Sequence, residues 1–171
     1  MWLHIACESM LAACGALAAL NAWRARSVLA SLGFGLISSS ALLGAIVYAG
    51  VEDAVAAHDE LSLLAARIAL LLIAAQGLRN RRWTVGVAVA CALSLVVPPP
   101  ADLAISMLAL VAIAWKGRSR DWPSAIAGAA LFVLAGLVIG TRGEWLGVPR
   151  VDLFHLSIAA AVLAWLRAGL R

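Results

Sequence analysis

Charged residues are scarce in this chain of 171 residues, since Asp, Glu, Lys and Arg make up only 13% of it. Hydrophobic residues make up 64%, and the mean hydropathy is +1.00. A soluble domain carries about 25% charged and about 45–50% apolar residues. The composition therefore excludes a soluble globular enzyme, a nucleic-acid-binding domain and a disordered protein. It indicates an integral membrane protein whose main partner is the lipid bilayer.

Lysine is nearly absent, because Lys116 is the only one and it follows the apolar run that ends at Trp115. A retinal Schiff base needs a lysine within a span, so retinal is excluded as a cofactor. The sequence also has no CxxC, no GxSxG and no Gly-rich phosphate loop. These absences exclude the nucleophilic and phosphate-binding sites that such motifs carry.

Seven apolar runs remain, and a helix needs about 20 apolar residues, in a range of roughly 17–25, to cross a bilayer core. The runs are Trp2–Trp23, Ser27–Gly50, Leu61–Leu78, Trp83–Val97, Asp102–Trp115, Ser124–Thr141 and Asp152–Ala168. The sequence predicts an all-α, polytopic membrane bundle of seven transmembrane helices in a single domain, residues 1–171. The fourth and fifth runs are short and flank Pro98–Pro100, so a re-entrant hairpin is the alternative for that pair.

The loops between these runs alternate in charge, which predicts their orientation. Ten basic residues fall on one side: Arg24, Arg26, Arg79, Arg81, Arg82, Lys116, Arg118, Arg120, Arg167 and Arg171. The other side carries mostly acidic residues: Glu52, Asp53, Asp59, Glu60, Asp102, Glu144 and Asp152. Cytoplasmic loops are enriched in Lys and Arg, so we expect the N-terminus outside and the C-terminus inside a bacterial cytoplasmic membrane.

Two ionisable residues fall within predicted spans, Glu8 in the first and Arg67 in the third. Each lies about six or seven positions from the outer end of its helix, and their depths match at about 1.5 Å per residue. An ionisable group in a span costs about 2.5–3.5 kcal/mol, which favours pairing. The sequence predicts a Glu8–Arg67 ion pair that fixes helix register or belongs to a polar network.

Histidines and carboxylates gather at the outer end of the predicted bundle. His4 and Glu8 share a helix face at i, i+4, and Asp152 and His155 do so at i, i+3. Histidine and carboxylate are zinc ligands, so His155, Asp152 and His4 are candidate metal ligands. Glu8 and Asp59 are candidate catalytic bases beside them.

Simpler roles are the alternatives for several of these residues. Asp152 and Asp102 each precede an apolar run after prolines, where a carboxylate caps a helix. His58 shares the solvated face of a loop with its acidic neighbours. No histidine falls in the inner half, which excludes a haem relay across the bilayer, while one outer haem with two histidines stays open.

Small residues predict close helix packing, which replaces the hydrophobic effect inside lipid. Gly136 and Gly140 form a GxxxG in the sixth run, and Gly33 and Gly44 lie in the second. We expect these glycines to pack helices within the bundle. Dimerisation through Gly136 and Gly140 is the alternative.

Two short segments carry a resemblance, Asp152-Leu-Phe-His155 and Ala41-Leu-Leu-Gly44. Together with seven helices and an outside N-terminus, they resemble the CREST superfamily, which includes alkaline ceramidases and adiponectin-receptor-like proteins. The likeness is closest to small bacterial membrane proteins of that type. It covers the whole chain as architecture and these two segments as motif.

The resemblance implies a zinc held by one histidine from helix two and two from helix seven, with a nearby Ser and Asp. His155 matches one of these histidines. The helix-two histidine falls on Tyr48, and the other helix-seven histidine falls on Arg150 or Val151. The serine falls near Gly44 or Ser40, and the aspartate on Asp59 or Asp53.

Three functions follow as hypotheses. The first is a non-catalytic bundle that binds a lipid or serves as an accessory subunit of a membrane assembly. The second is a metal-dependent hydrolase of lipid amides or esters at the outer leaflet, with zinc as its cofactor. The third is a small transporter that uses the Glu8–Arg67 network.

Overall fold

Seven α-helices make up the bundle in the computed structural model, which describes residues 1–78, 81–118 and 121–170. They are α1 (Trp2–Arg24), α2 (Val28–Tyr48), α3 (Val55–Ala74), α4 (Arg81–Val96), α5 (Pro99–Gly117), α6 (Trp122–Val133) and α7 (Arg150–Arg167). A 3-10 turn, Glu52–Ala54, precedes α3, and a π-helical segment, Leu134–Ile139, extends α6. A two-stranded antiparallel hairpin pairs Glu144–Trp145 with Val148–Pro149 before α7.

The prediction of an all-α fold is confirmed. Three residues of the predicted basic side, Arg79, Arg120 and Arg171, lie outside the described residues.

Three helical stretches of the described chain are long and apolar enough to cross a membrane: Trp2–Arg24, Val28–Tyr48 and Trp122–Ile139. The apolar part of α4, Thr84–Val96, is shorter. These stretches confirm a helical protein suited to a membrane. Helix α3 begins at Val55, six residues before the predicted start at Leu61, and so includes His58.

The two ends of the bundle differ in their contacts. The start of α1, the end of α2 and the start of α7 lie together, since His4 stacks on Tyr48 and contacts Asp152. The start of α3 joins them through the hydrogen bond of His58 to Ser40 of α2. We call this the polar end. At the opposite end, Lys116 of α5 donates to the carbonyl oxygens of Ala74, the last residue of α3, and of Gln76, which follows it.

Glycines in the bundle core bring helix backbones into direct contact. A Cβ at Gly33 of α2 would lie 2.7 Å from the carbonyl oxygen of Ala69 in α3. A Cβ at Gly128 of α6 would overlap the indole of Trp165, whose side chain is fully buried. The expected packing role of Gly33 is confirmed, because van der Waals contact between close backbones holds helices together in lipid.

The expected packing role of Gly136 and Gly140 within the bundle is wrong. A Cβ at either position would meet nothing within 4 Å. Gly136 lies exposed in the π-helical segment, which interrupts the α-helical spacing on which a GxxxG surface depends. Gly140 has a φ of +65° and ends that segment, which is a conformation that glycine adopts without steric cost.

The helix caps also differ from the expected ones. Helix α5 begins at Pro99, and Asp102 in its first turn accepts a hydrogen bond from Ser94 Oγ at 3.0 Å. Asp152 lies two residues inside α7 and does not cap it. The cap that the sequence analysis missed is Asp121, whose Oδ1 accepts from the backbone N–H of Ser124 at 3.3 Å at the start of α6.

Candidate functional site

Helices α1 and α7 meet at the polar end through two histidine–carboxylate contacts. His4 Nδ1 donates to Oδ1 of Asp152 at 2.7 Å, and Asp152 is 1% exposed. One turn further along both helices, Nδ1 of His155 lies 3.4 Å from Oε1 of Glu8. Each helix supplies one histidine and one carboxylate, because the i, i+4 and i, i+3 spacings put each pair on one face. The structure thus brings together four of the candidate residues.

The carboxyl group of Glu8 is buried without a hydrogen bond from any described residue. Glu8 is 1% exposed, and neither of its side-chain oxygens has a hydrogen-bond partner. Gly44 of α2 lies against this carboxyl group, since a Cβ there would overlap Oε1. A glycine at position 44 therefore leaves room for the carboxyl group beside the backbone of α2.

The expected Glu8–Arg67 ion pair does not form in the structure. Arg67 Nη1 instead donates to the carbonyl oxygens of Ser94 and Leu95, at 2.8 and 2.9 Å. These carbonyls belong to the last turn of α4, and the prolines that follow have no N–H with which to satisfy such groups. Arg67 pairs with a helix end because unpaired carbonyls in an apolar region are costly.

His58 is the functional candidate that the sequence analysis placed on a solvated loop. It lies in the first turns of α3, where its Nδ1 donates to the carbonyl oxygen of Ser40 at 3.1 Å. This bond assigns the proton to Nδ1 and leaves Nε2 as an acceptor. A Cβ at Gly44 would lie 3.0 Å from Cε1 of His58 and would also meet the carboxyl group of Glu8, so both side chains lie beside Gly44. The sequence analysis missed this role because it began the third helix at Leu61, which left His58 in the loop before it.

Asp59, the second candidate base, does not join this group. Its side chain is exposed and does not line the cavity that His58 lines. Neighbouring residues on a helix point about 100° apart, so only one of the pair faces the interior. The structure therefore does not bring Asp59, a candidate catalytic base, to the group formed by His4, Glu8, Asp152 and His155.

A cavity of about 470 Å³ extends from the polar end into the bundle. The polar residues of its lining, which we call its head, are Glu8, Ser40, Tyr48, His58, Ser62, Ser106, Thr141 and His155. Residues further along each helix line its body and are apolar: Leu11, Ile37, Leu70, Leu110, Phe132 and Ile158. The cavity therefore has one polar end and a long apolar interior.

The cavity opens sideways between α5 and the π-helical segment. Leu103 of α5 and Leu137 of that segment line the cavity and are also exposed, by 45% and 57%. At the opposite end, α5 and α6 touch where Gly117 meets Ala125. The two helices therefore separate toward the polar end, where their exposed lining residues are apolar.

A zinc site of the kind that the resemblance implies does not fit the described residues. No group of three His, Cys, Asp or Glu side chains in residues 1–78, 81–118 and 121–170 could hold one ion. The Nδ1 of His4 is bonded to Asp152, whereas His155 faces Glu8. A catalytic zinc needs three protein ligands around an open position, and the three candidates do not converge on one point.

Comparison with known proteins adds no relative. No protein-family model, curated protein or solved structure that was compared with the chain matches it. The resemblance to the CREST superfamily therefore has only the two segments, Ala41–Gly44 and Asp152–His155, to support it.

Proposed function

We propose that this chain is a non-catalytic membrane protein that binds a single-chain amphiphile in the cavity between its helices. The observation that carries the proposal is the shape and chemistry of the cavity, a polar head followed by an apolar body. A volume of about 470 Å³ falls within the usual range of roughly 300–1,000 Å³ for small-molecule sites. An alkyl chain would fill the apolar body while its head group meets Glu8 and His58.

The sideways opening supports a ligand that arrives from the bilayer. Leu103 and Leu137 at the opening are apolar and exposed. In a membrane this surface would face lipid chains, so an alkyl chain could enter without crossing water. The opening is a reason to prefer a lipid over a water-soluble ligand.

The proposed topology places all seven helices across the membrane, with the N-terminus outside and the C-terminus in the cytoplasm. The three long apolar helices and the basic residues of the alternate loops support it. In this orientation the polar end of the cavity lies toward the outer leaflet. The cavity would then bind amphiphiles that enter it from the outer leaflet.

A transporter is less well supported, because apolar residues line the deeper part of the cavity. Leu11, Leu70 and Leu110 surround the deeper part. A polar solute or an ion would meet only apolar side chains there, and its desolvation would not be compensated.

The experiment is native mass spectrometry of the chain released from detergent micelles, which reports any retained amphiphile by its added mass. Met107 lines the cavity, whereas its neighbour Leu108 is 70% exposed and outside the lining. We expect one amphiphile per chain in the unmodified protein and in Leu108→Trp, and a loss of most of it in Met107→Trp. Equal retention in both variants would contradict binding in the cavity.

A further inference from the structure

The head of the cavity contains buried hydrogen-bond acceptors that no described residue satisfies. Both oxygens of Glu8 lack a partner, and Nε2 of His58 is an acceptor because Nδ1 holds the proton. Ser40 Oγ and Ser62 Oγ bond to each other at 2.7 Å, which engages one of the two hydroxyl protons. A ligand head that donates several hydrogen bonds would complement this arrangement.

Protein cations do not neutralise the Glu8 carboxyl group among the described residues. The one ion-pair contact of Glu8 is with His155 at 3.4 Å, and it lacks the geometry of a hydrogen bond. Arg67, the expected partner, is engaged with the carbonyls of α4. Asp152 adds a second buried carboxylate nearby on α7. A buried carboxylate without a partner is costly, so a cationic ligand that pairs with it would be stabilised.

We propose that the head group recognised at Glu8 is a primary amine, so that the ligand class is a long-chain alkylammonium amphiphile. An ammonium group provides three N–H donors, which suits the two oxygens of Glu8 and Nε2 of His58. A carboxylate head would be repelled by the ionised form of Glu8, and a quaternary ammonium would bring charge without any N–H donor. This inference rests on the proposed binding function and specifies its ligand.

The test is a competition experiment on the unmodified chain in nanodiscs of phosphatidylcholine. The probe is dodecylamine with a diazirine at the end of its chain, and labelling is counted only on buried cavity residues such as Leu110. The competitors are dodecylamine, dodecyltrimethylammonium, dodecanol and dodecanoate. We expect dodecylamine to compete at concentrations about tenfold or more lower than the others, since a charge-assisted hydrogen bond has this effect.

Other results would overturn the inference in distinguishable ways. Equal competition by dodecyltrimethylammonium would show that charge alone suffices, and equal competition by dodecanol would show a neutral head. Stronger competition by dodecanoate would reverse the assigned charge. If diazirine analogues of all four head groups fail to label cavity residues, the binding function itself fails.

Variants at two glutamates locate the effect. Glu8→Gln keeps the shape but replaces one acceptor with a donor, and we expect the affinity for dodecylamine to fall about tenfold or more. The matched control is Glu60→Gln, at an exposed position of α3, which should leave it unchanged. An unchanged affinity in a folded Glu8→Gln variant would overturn the role of Glu8. Should that variant not fold, the ranking of the four competitors on the unmodified chain decides the question.

Discussion

The Nδ1 atom of His155 lies 3.4 Å from Oε1 of Glu8, yet the carboxyl group accepts no hydrogen bond from the described residues. One turn away, the equivalent contact between His4 and Asp152 is a full hydrogen bond of 2.7 Å. Two similar histidine–carboxylate pairs on the same two helices thus differ, because only one of them forms a hydrogen bond. The His4–Asp152 hydrogen bond joins α1 to α7, whereas Glu8 and His155 lie in the wall of the cavity without a hydrogen bond between them.

Arg67 should stabilise the bundle through the end of α4. Arg67→Ala removes the donors to the carbonyls of Ser94 and Leu95. We expect a loss of about 2 kcal/mol in the free energy of unfolding, the usual contribution of charged hydrogen bonds. Thermal unfolding in detergent measures it, with the exposed Arg24→Ala as control. If both variants unfold at the same temperature, the hydrogen bonds from Arg67 to α4 do not contribute to the stability of the bundle.

Two glycines of α2 provide a matched pair for the packing of α2 on α3. A Cβ at Gly33 would overlap the backbone of Ala69, whereas one at Gly35 would meet nothing within 4 Å. We expect Gly33→Ala to lower the unfolding temperature, because α2 and α3 must move apart. Gly35→Ala should be neutral or stabilise by about 0.5–1 kcal/mol, the propensity difference between the two residues. The reverse order in thermal unfolding would refute the close contact.

The cap of α6 should make stability depend on pH. The hydroxyl and backbone N–H of Ser124 donate to Asp121 and, with Arg167 nearby, hold the pKa of that carboxyl below its usual value. The charged form is therefore favoured in the folded chain, and its contribution is present above about pH 4 and lost as the pH falls further. Asp121→Ala should unfold at a lower temperature than the unmodified chain at pH 7. This difference should shrink as the pH falls below about 4, and a constant difference would contradict the assignment.

Loop accessibility tests the proposed topology. Leu146 is 93% exposed in the loop before α7, and Ala25 is exposed between α1 and α2. We expect a cysteine at Leu146 to react with an impermeant maleimide on intact cells, and one at Ala25 to react only after the membrane is opened. The background is a variant without Cys7, Cys14 and Cys91. The opposite labelling pattern would invert the topology.

The helical fold was predictable because apolar runs and the loops between them are encoded locally in the sequence. Only part of the contact between α1 and α7 was predictable. The spacing of His4 and Glu8 puts them on one face of α1, but it does not identify the helix that this face contacts. Arg67 was assigned to the wrong partner because depth in the membrane does not determine direction around a helix. The role of His58 depends on the earlier start of α3, and helix boundaries are the least certain feature of a sequence-based prediction.

Mapping where an alkyl chain lies tests the central claim most directly. A lipid with a diazirine at the end of its alkyl chain would be photolysed in nanodiscs that contain the protein. The labelled residues would then be identified by peptide mass spectrometry. Leu110 and Ile158 line the cavity and are only 3% and 6% exposed, whereas Leu108 and Leu163 face outward. We expect labels on Leu110 and Ile158 that disappear in Met107→Trp. Labels confined to Leu108, Leu163 and other outward-facing residues would contradict a ligand inside the bundle.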